Sequence, residues 1–286
     1  MKPRPIIRYH GGKHRLAQWI ISFFPDHRCY VEPYGGAASV LIRKPRAYAE
    51  IYNDLDGEIV NLFRVVRDDG DQLKRKLELT PFSRNEFVES YEPPPDPIEQ
   101  ARRTICRAFM GFSSSSVTKQ RHVTGRLKNA TTGFRSNSNR SGTTPAHDWM
   151  NYPKKLHLII ERLQGVVIDN KSALDVMTQH DSPKTLHYVD PPYVPKTRDR
   201  GTDYKYEMTE DHHIEMIECL KQLTGMVIVS GYRSELYDRH FAQWHREDKH
   251  AFADGASPRT ESLWFSPNFS NTTKQRTFWH DKKRYI

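Results

Sequence analysis

The chain has 286 residues, 36% hydrophobic and 28% charged, a globular composition above the usual ~100–200 residues of one domain, so one large domain with an insertion and two small domains both fit. No apolar run of about 18 residues occurs and no apolar stretch follows Met1-Lys2-Pro3-Arg4-Pro5, so neither a membrane span nor a secretory signal is expected. Cys29, Cys106 and Cys219 are widely spaced with no C-x-x-C pair, which argues against a disulfide framework or zinc ribbon and for a cytoplasmic protein.

From the N-terminus, Leu16, Trp19, Ile20, Phe23 and Phe24 recur at spacings of three and four, predicting a helix over His14 to Phe24 that Pro25-Asp26 stops. Cys29-Tyr30-Val31 reads as a strand entering the turn Glu32-Pro33-Tyr34-Gly35-Gly36, with a helix resuming over Ala37 to Ile42. Ala47 to Tyr52 alternates like a strand, ends in Asn53-Asp54-Leu55-Asp56, and passes into a helix marked by Ile59, Leu62, Phe63 and Val66. Strand, turn, helix, strand, acid and helix in succession argue for a parallel α/β sheet.

Pro81 to Asp148 breaks that rhythm. A helix is predicted from Pro97 to Met110, followed by a long polar run containing Ser113 to Ser116 and Thr131 to Gly142, too polar for a core and longer than ordinary connections. The α/β pattern returns after Asn151. A helix with Leu156, Ile159, Ile160 and Leu163 precedes strands at Val166–Ile168 and Thr185–Val189, ending in Asp169 and Asp190. A helix over Thr209 to Leu223, a strand Met226–Ser230, a helix Ser234–Phe241 and a strand Glu261–Phe265 complete it. The organisation expected is a catalytic domain of residues 1–66 and 151–286 interrupted by an inserted, mainly helical subdomain of residues 67–150.

The net charge of +9 is concentrated. Arg102 to Lys155 alone carries +10, leaving −1 for the remainder. Such a stretch suits either a polyanion partner or a solvated basic face. Phe109, Phe112 and Phe134 interleave its cations, as on nucleic-acid surfaces, or else anchor the loop.

In open parallel sheets ligands bind beyond the carboxyl ends of the strands, and here three strands end in Glu32 to Gly36, Asn53-Asp54 and Asp190-Pro191-Pro192-Tyr193. Gly35-Gly36 lets backbone approach a ligand, and Asp54 stands where ribose hydroxyls are gripped. The strict G-x-G-x-x-G phosphate fingerprint is missing, favouring a nucleoside without phosphates. In Asp190-Pro191-Pro192-Tyr193, two prolines without N–H hold an extended backbone, leaving a carbonyl acceptor beside the Asp190 carboxylate. Two close acceptors suit an exocyclic amine, and the Tyr193 ring offers a planar base a stacking face worth about 1–3 kcal/mol. The bland alternative is a strand-ending Pro-Pro turn with an aromatic plug. His212, His213 and Glu215 invite a metal reading, but adjacent histidines on a helix point apart and no third ligand is evident, so no metal is expected.

These motifs together resemble the Dam-like (D12 class, alpha group) DNA adenine-N6 methyltransferases over nearly the whole chain. Tyr9-His10-Gly11-Gly12-Lys13 is similar to the family's aromatic-x-Gly-Gly-Lys element, Glu32-Pro33-Tyr34-Gly35-Gly36-Ala37-Ala38-Ser39 to its Glu-Pro-Phe-x-Gly-x-Gly-Ser turn, and Asp54-Leu55-Asp56 to its Asp-Ile-Asn motif. Asp190-Pro191-Pro192-Tyr193 is identical to the catalytic element. Ala38 replaces a family glycine and Asp56 an asparagine. The resemblance implies a Rossmann-like methyltransferase sheet with an inserted DNA-recognition subdomain, and S-adenosylmethionine as cofactor. It implies a cofactor site of Tyr9, Gly12, Lys13, Glu32, Pro33, Tyr34, Gly35, Gly36, Asp54 and Asp190. Asp169 is a candidate for the cofactor's adenine, with a surface turn as a comparable alternative.

The expected catalytic set is Asp190, Pro191, Pro192 and Tyr193, acting on an adenine flipped from double-stranded DNA. Arg121, Arg126, Lys128, Arg135, Asn137, Asn139 and Arg140 are the candidate DNA contacts, since Arg matches guanine edges and Asn adenine edges; plain phosphate contact suits them equally. No obligate protein partner is implied, a monomer or weak dimer being expected, and a restriction-modification setting is compatible. The rival readings are methylation of an RNA amine or of cytosine N4, and a DNA-binding regulator that has lost activity.

Overall fold

The computed structural model describes residues 5–112, 116–117, 133–136, 143–197, 204–252 and 258–271. Its strands are β1 (Cys29–Glu32), β2 (Ala49–Asn53), β3 (Val166–Asp169), β4 (Thr185–Val189), β5 (Met226–Tyr232), β6 (His245–Phe252) and β7 (Pro258–Phe265). The helices are α1 (Ala17–Ile21), α2 (Gly57–Asp68), α3 (Gly70–Leu79), α4 (Arg84–Glu89), α5 (Pro97–Met110), α6 (Pro145–Asn151), α7 (Leu156–Leu163), α8 (Ala173–Gln179), α9 (Glu210–Gln222) and α10 (Glu235–His240).

One seven-stranded sheet runs in the order β3-β2-β1-β4-β5-β7-β6. The β3-β2-β1-β4-β5 pairs are parallel, and β7 is antiparallel to both its neighbours. The chain winds outward from β1 through β2 to β3, then returns to β4 on the other side of β1. The point where strand order reverses therefore lies between the carboxyl ends of β1 and β4, where a doubly wound sheet opens a crevice for a ligand. This is a mixed α/β, doubly wound architecture of the Rossmann-like type expected.

Period-two alternation gives each sheet face its own core. Leu186 and Tyr188 of β4, with Met226 and Ile228 of β5, join a cluster containing Ile59, Phe63 and Val66 of α2, Leu156 of α7, and Leu73, Leu77, Phe87, Ile105 and Trp149 of the intervening helices. Val189, Val227 and Val229 face the other way, onto Met216, Ile217 and Leu220 of α9 and Tyr237 of α10. Side-chain caps start the helices: Asp56 accepts from the Glu58 N–H at α2, Asp96 from Glu99 at α5, Thr144 from His147 at α6, and Thr209 from His212 at α9. Each such cap satisfies a backbone donor that would otherwise lack an intrahelical partner.

Four expectations are corrected. The helix predicted over Ala37 to Ile42 is a series of turns, because Ala38 sits at φ +50° and a left-handed residue interrupts helical bonding. The N-terminal helix is reduced to α1, flanked by turns. A polar edge strand, β6, was not foreseen, since its run His245-Arg246-Glu247-Asp248-Lys249-His250 lacks an apolar face. Finally, part of the concentrated positive charge is consumed internally. Arg102 bonds Glu99 at 2.6 Å and Glu86 at 2.6 Å, Arg103 bonds Glu99 at 2.9 Å, and Arg107 pairs with Glu58. Burial works against the Glu99 carboxylate, but Arg102 and Arg103 outweigh it and hold that group at about 2. Phe134 packs on Phe82 and Phe87, and Phe109 on Tyr152 and Trp149, as anchors, whereas Phe112 is exposed.

Candidate active site

Asn53, fully buried at the end of β2, ties the carboxyl edge together. Its side-chain amide donates to the Pro33 carbonyl at 2.9 Å and the Lys171 carbonyl at 3.1 Å, and its oxygen accepts the Lys171 N–H at 2.9 Å. The turn after β1 is thereby fixed to β2, where the Gly35 N–H donates to the Asn53 carbonyl at 2.7 Å and the Tyr52 hydroxyl to the Gly36 carbonyl at 2.7 Å. A Cβ at Gly35 would lie 2.1 Å from the Tyr52 ring, so that ring already fills the space a side chain would need. Gly36, at φ +46°, points its N–H at Asp54 Oδ2, 2.8 Å away, while Asp54 Oδ1 accepts the Asp56 N–H at 2.8 Å. Burial raises the Asp54 carboxyl to about 6 against these donors.

The turn, Asp54 and the end of β4 open on one cavity of about 520 Å³, within the range of small-molecule and cofactor sites. Tyr9, Gly12, Lys13, Glu32, Pro33, Tyr34, Gly35, Gly36, Asp54 and Asp190 all line it, as do Pro191 and Pro192. The motifs read separately along the sequence thus converge. Asp169 does not line the cavity: its carboxylate faces Lys171 at 3.6 Å, and Ser172, Ala173 and Leu174 at the start of α8 reach the cavity from this connection instead. Tyr193 stands behind the lining, its ring stacked on Tyr232 with centroids 4.1 Å apart.

Lys13 lies at the floor, 5% exposed. Its ammonium meets Asp190 Oδ1 at 2.8 Å, donates to the Tyr193 hydroxyl at 2.9 Å and to the Gly11 carbonyl at 3.2 Å, and reaches Glu261 Oε1 at 3.4 Å. Burial alone would discharge it, but Asp190 and Glu261 reverse that and hold it firmly protonated. Burial raises Asp190 to about 6; Lys13 draws it down while Glu261 pushes it up. Glu32 lies deeper, raised by burial to about 8 although it accepts from the Tyr30 hydroxyl at 2.7 Å and the Leu41 N–H at 3.0 Å.

Sequence reasoning missed Glu261, whose strand carried no chemical motif, and Tyr204, Lys205 and Tyr206, which line the far wall. Lys205 bonds Asp56 at 2.7 Å, so the acid that departs from the family's asparagine has a cationic partner across the cavity mouth. It also missed Ser39, whose buried hydroxyl lines the cavity without a hydrogen-bond partner among the described residues. Of the DNA-contact candidates, Arg121, Arg126, Lys128, Asn137, Asn139 and Arg140 lie outside the described residues. Arg135 is described: its N–H donates to the Met110 carbonyl at 2.6 Å, and its half-buried side chain lies near Asp148 and Arg8. His212 caps α9 and lines the cavity, whereas His213 is buried against the Tyr237 hydroxyl at 3.0 Å. No cluster of three His, Cys, Asp or Glu suited to a metal occurs among the described residues, and no described helix is long and apolar enough to cross a membrane.

The reversal of strand order thus brings paired glycines, a buried acid and the Asp-Pro-Pro element to one cavity at the carboxyl edge of a Rossmann-like sheet. The chain belongs to the D12 class N6 adenine-specific DNA methyltransferases, whose family model matches residues 9–251, and it is accordingly a transferase. It is 33% identical over 72 residues to a DNA adenine methylase of Haemophilus influenzae, a match spanning a quarter of each chain. It is 24% identical over 258 residues to the type II methyltransferase M1.LlaDCHI of Lactococcus lactis subsp. cremoris, covering 85% of this chain and 86% of the relative.

Proposed function

We propose that the protein transfers a methyl group from S-adenosylmethionine to N6 of an adenine flipped out of double-stranded DNA. The observation that carries this reading is the placement of Asp190, Pro191 and Pro192 at the carboxyl edge of β4, in the same cavity as Asp54 and the Gly35-Gly36 turn.

The residues present fit the cofactor. Asp54 spends one lone pair of each oxygen on backbone N–H groups and keeps the others for a ribose diol. Leu55, Ala173 and Leu174 supply apolar surface for an adenine, and the unpartnered Ser39 hydroxyl is a ready donor or acceptor for a polar end group. When bound, S-adenosylmethionine supplies the sulfonium methyl.

The chain's own part is binding and aim. Asp190 and the Pro191 carbonyl accept the two N6 hydrogens, which turns the nitrogen lone pair toward the methyl donor. Positioning and fixed dipoles, rather than covalent catalysis, supply most of the rate. The stacking face expected of Tyr193 is corrected: its buried ring is stacked on Tyr232 and covered by the Lys13 ammonium, so it braces the Asp190 segment from behind; flipping the base costs a few kcal/mol. Residues 67–150 would form the DNA-recognition subdomain, with Arg121, Arg126, Lys128, Arg135, Asn137, Asn139 and Arg140 as its contacts. The relative's name as a type II methyltransferase supports a restriction-modification setting.

The test is incubation with methyl-labelled S-adenosylmethionine and unmethylated plasmid, digestion to nucleosides, and identification of the labelled base. N6-methyladenine is expected, and Asp190→Ala should abolish it while leaving DNA retention largely intact. Label on cytosine, or an active Asp190→Ala protein, would overturn the reading; label on RNA alone would reassign the substrate.

A further inference from the structure

Glu261 lies on β7 opposite Tyr232 of β5 and is 2% exposed. Its Oε1 accepts the Ser230 hydroxyl at 2.8 Å and faces the Lys13 ammonium at 3.4 Å, and its Oε2 accepts the Tyr193 hydroxyl at 3.2 Å. Compare Glu50, a buried acid of β2 whose partners, Lys44, Arg162 and the Ala47 N–H, belong to the scaffold. All three of Glu261's partners are instead groups that face or flank Asp190. Lys13 is accordingly shared between two carboxylates.

We propose that Glu261 is a positioning residue for methyl transfer: by sharing the Lys13 ammonium, which sits 2.8 Å from Asp190 and 3.4 Å from Glu261, and by holding the Tyr193 hydroxyl, it weakens the grip of Lys13 on Asp190 so that this carboxylate can still accept the adenine amine. This rests on the reading of Asp190 as the acceptor. A carboxylate fully engaged by an ammonium is a weaker acceptor toward a neutral N–H; dividing the ammonium between two acids restores part of that capacity.

The other groups facing Asp190 are accounted for. Lys13 comes from the N-terminal loop, Ser230 from β5, Tyr188 from β4 and Tyr193 from the loop that follows it. Tyr232, Tyr237 of α10 and Glu32 of β1 feel its charge. The tyrosines are all raised by burial and stay neutral where Asp190 titrates, and Glu32, at about 8, is still protonated there. Lys13 and Glu261 are therefore the charged neighbours that set the acid limb of turnover.

Native transfer to adenine N6 is measured first, followed by kcat against pH at saturating cofactor for Glu261→Gln and Ser230→Ala. Glu261→Gln keeps the shape and an acceptor for Ser230 but removes the charge. Its kcat is expected to fall about tenfold or more, with the acid limb moved down by about half a pH unit or more as Asp190 loses a repelling neighbour. Ser230→Ala removes the single hydroxyl that donates to Glu261 and lies beside Asp190, where it favours the ionised form, and should move the limb upward. Should Glu261→Gln fail to fold, Ser230→Ala carries the test. Loss of rate with an unmoved limb, or an unmoved limb in Ser230→Ala, would overturn the inference. A native protein that methylates no adenine would overturn the functional reading and this inference with it.

Discussion

Ala38 is the non-glycine residue with positive φ among those described, and it is fully buried beside Ala37, 4% exposed. A left-handed conformation costs an L-residue about 1–2 kcal/mol, roughly what a lost methyl contact and the added entropy of glycine cost in the opposite sense. Ala38→Gly should therefore be nearly neutral in urea unfolding, whereas Ala37→Gly should cost about 1.5 kcal/mol. Equal losses at both positions would refute the strain. Asp54 yields a pH prediction. On the proposed reading, ribose hydroxyls would donate to its ionised form and lower its pKa on binding, so cofactor affinity should be flat above about 6 and fall below it. In calorimetric titration Asp54→Asn should flatten that dependence and weaken binding about tenfold or more.

At the scale of elements, α5 carries cations that the sequence offers as a polyanion face and the structure spends on Glu99, Glu86 and Glu58. Arg102→Met should cost about 2–3 kcal/mol by leaving Glu99 with Arg103 and Lys76 alone and removing the arginine from partly exposed Glu86, yet leave the DNA affinity of the folded protein unchanged. Because Glu99 is held at about 2, its stabilisation is complete above the ordinary glutamate range near 4.5 and is lost as pH falls from there toward 2. Other acids, Asp181 and Glu50 among them, are also held low, so the native protein should lose more stability in acid titration than Glu99→Gln does. Strands with apolar runs, β1 to β5, were legible from alternation and length, as was the convergence of their acids at one rim. β6 was not, because an exposed edge strand needs no apolar face. Nor was the role of Glu261, which depends on a β5–β7 register pairing it with Tyr232, and register leaves no trace in a single strand.

For the whole molecule, the sharp question is where the DNA-facing charge resides. With Arg102, Arg103 and Arg107 engaged internally, the candidates are Lys119 to Arg140 together with the exposed Lys154 and Lys155. Contact with roughly six phosphates would reduce affinity about 10³-fold between 50 and 200 mM salt. A flat response in fluorescence anisotropy would exclude phosphate tracking by this segment.

The meeting of Lys13 with Glu261 also has a consequence for synthesis on the ribosome. Lys13 is made well before both acids that justify its burial, Asp190 following it by about 180 residues and Glu261 by about 250. At about 5–20 residues per second, the ammonium waits tens of seconds for its counter-charges and must stay hydrated meanwhile. The core of β1, β2 and α2 can close early, but a nascent chain cannot assemble the transfer site until β7 has emerged. Catalytic competence thus begins only with the last strand of the sheet.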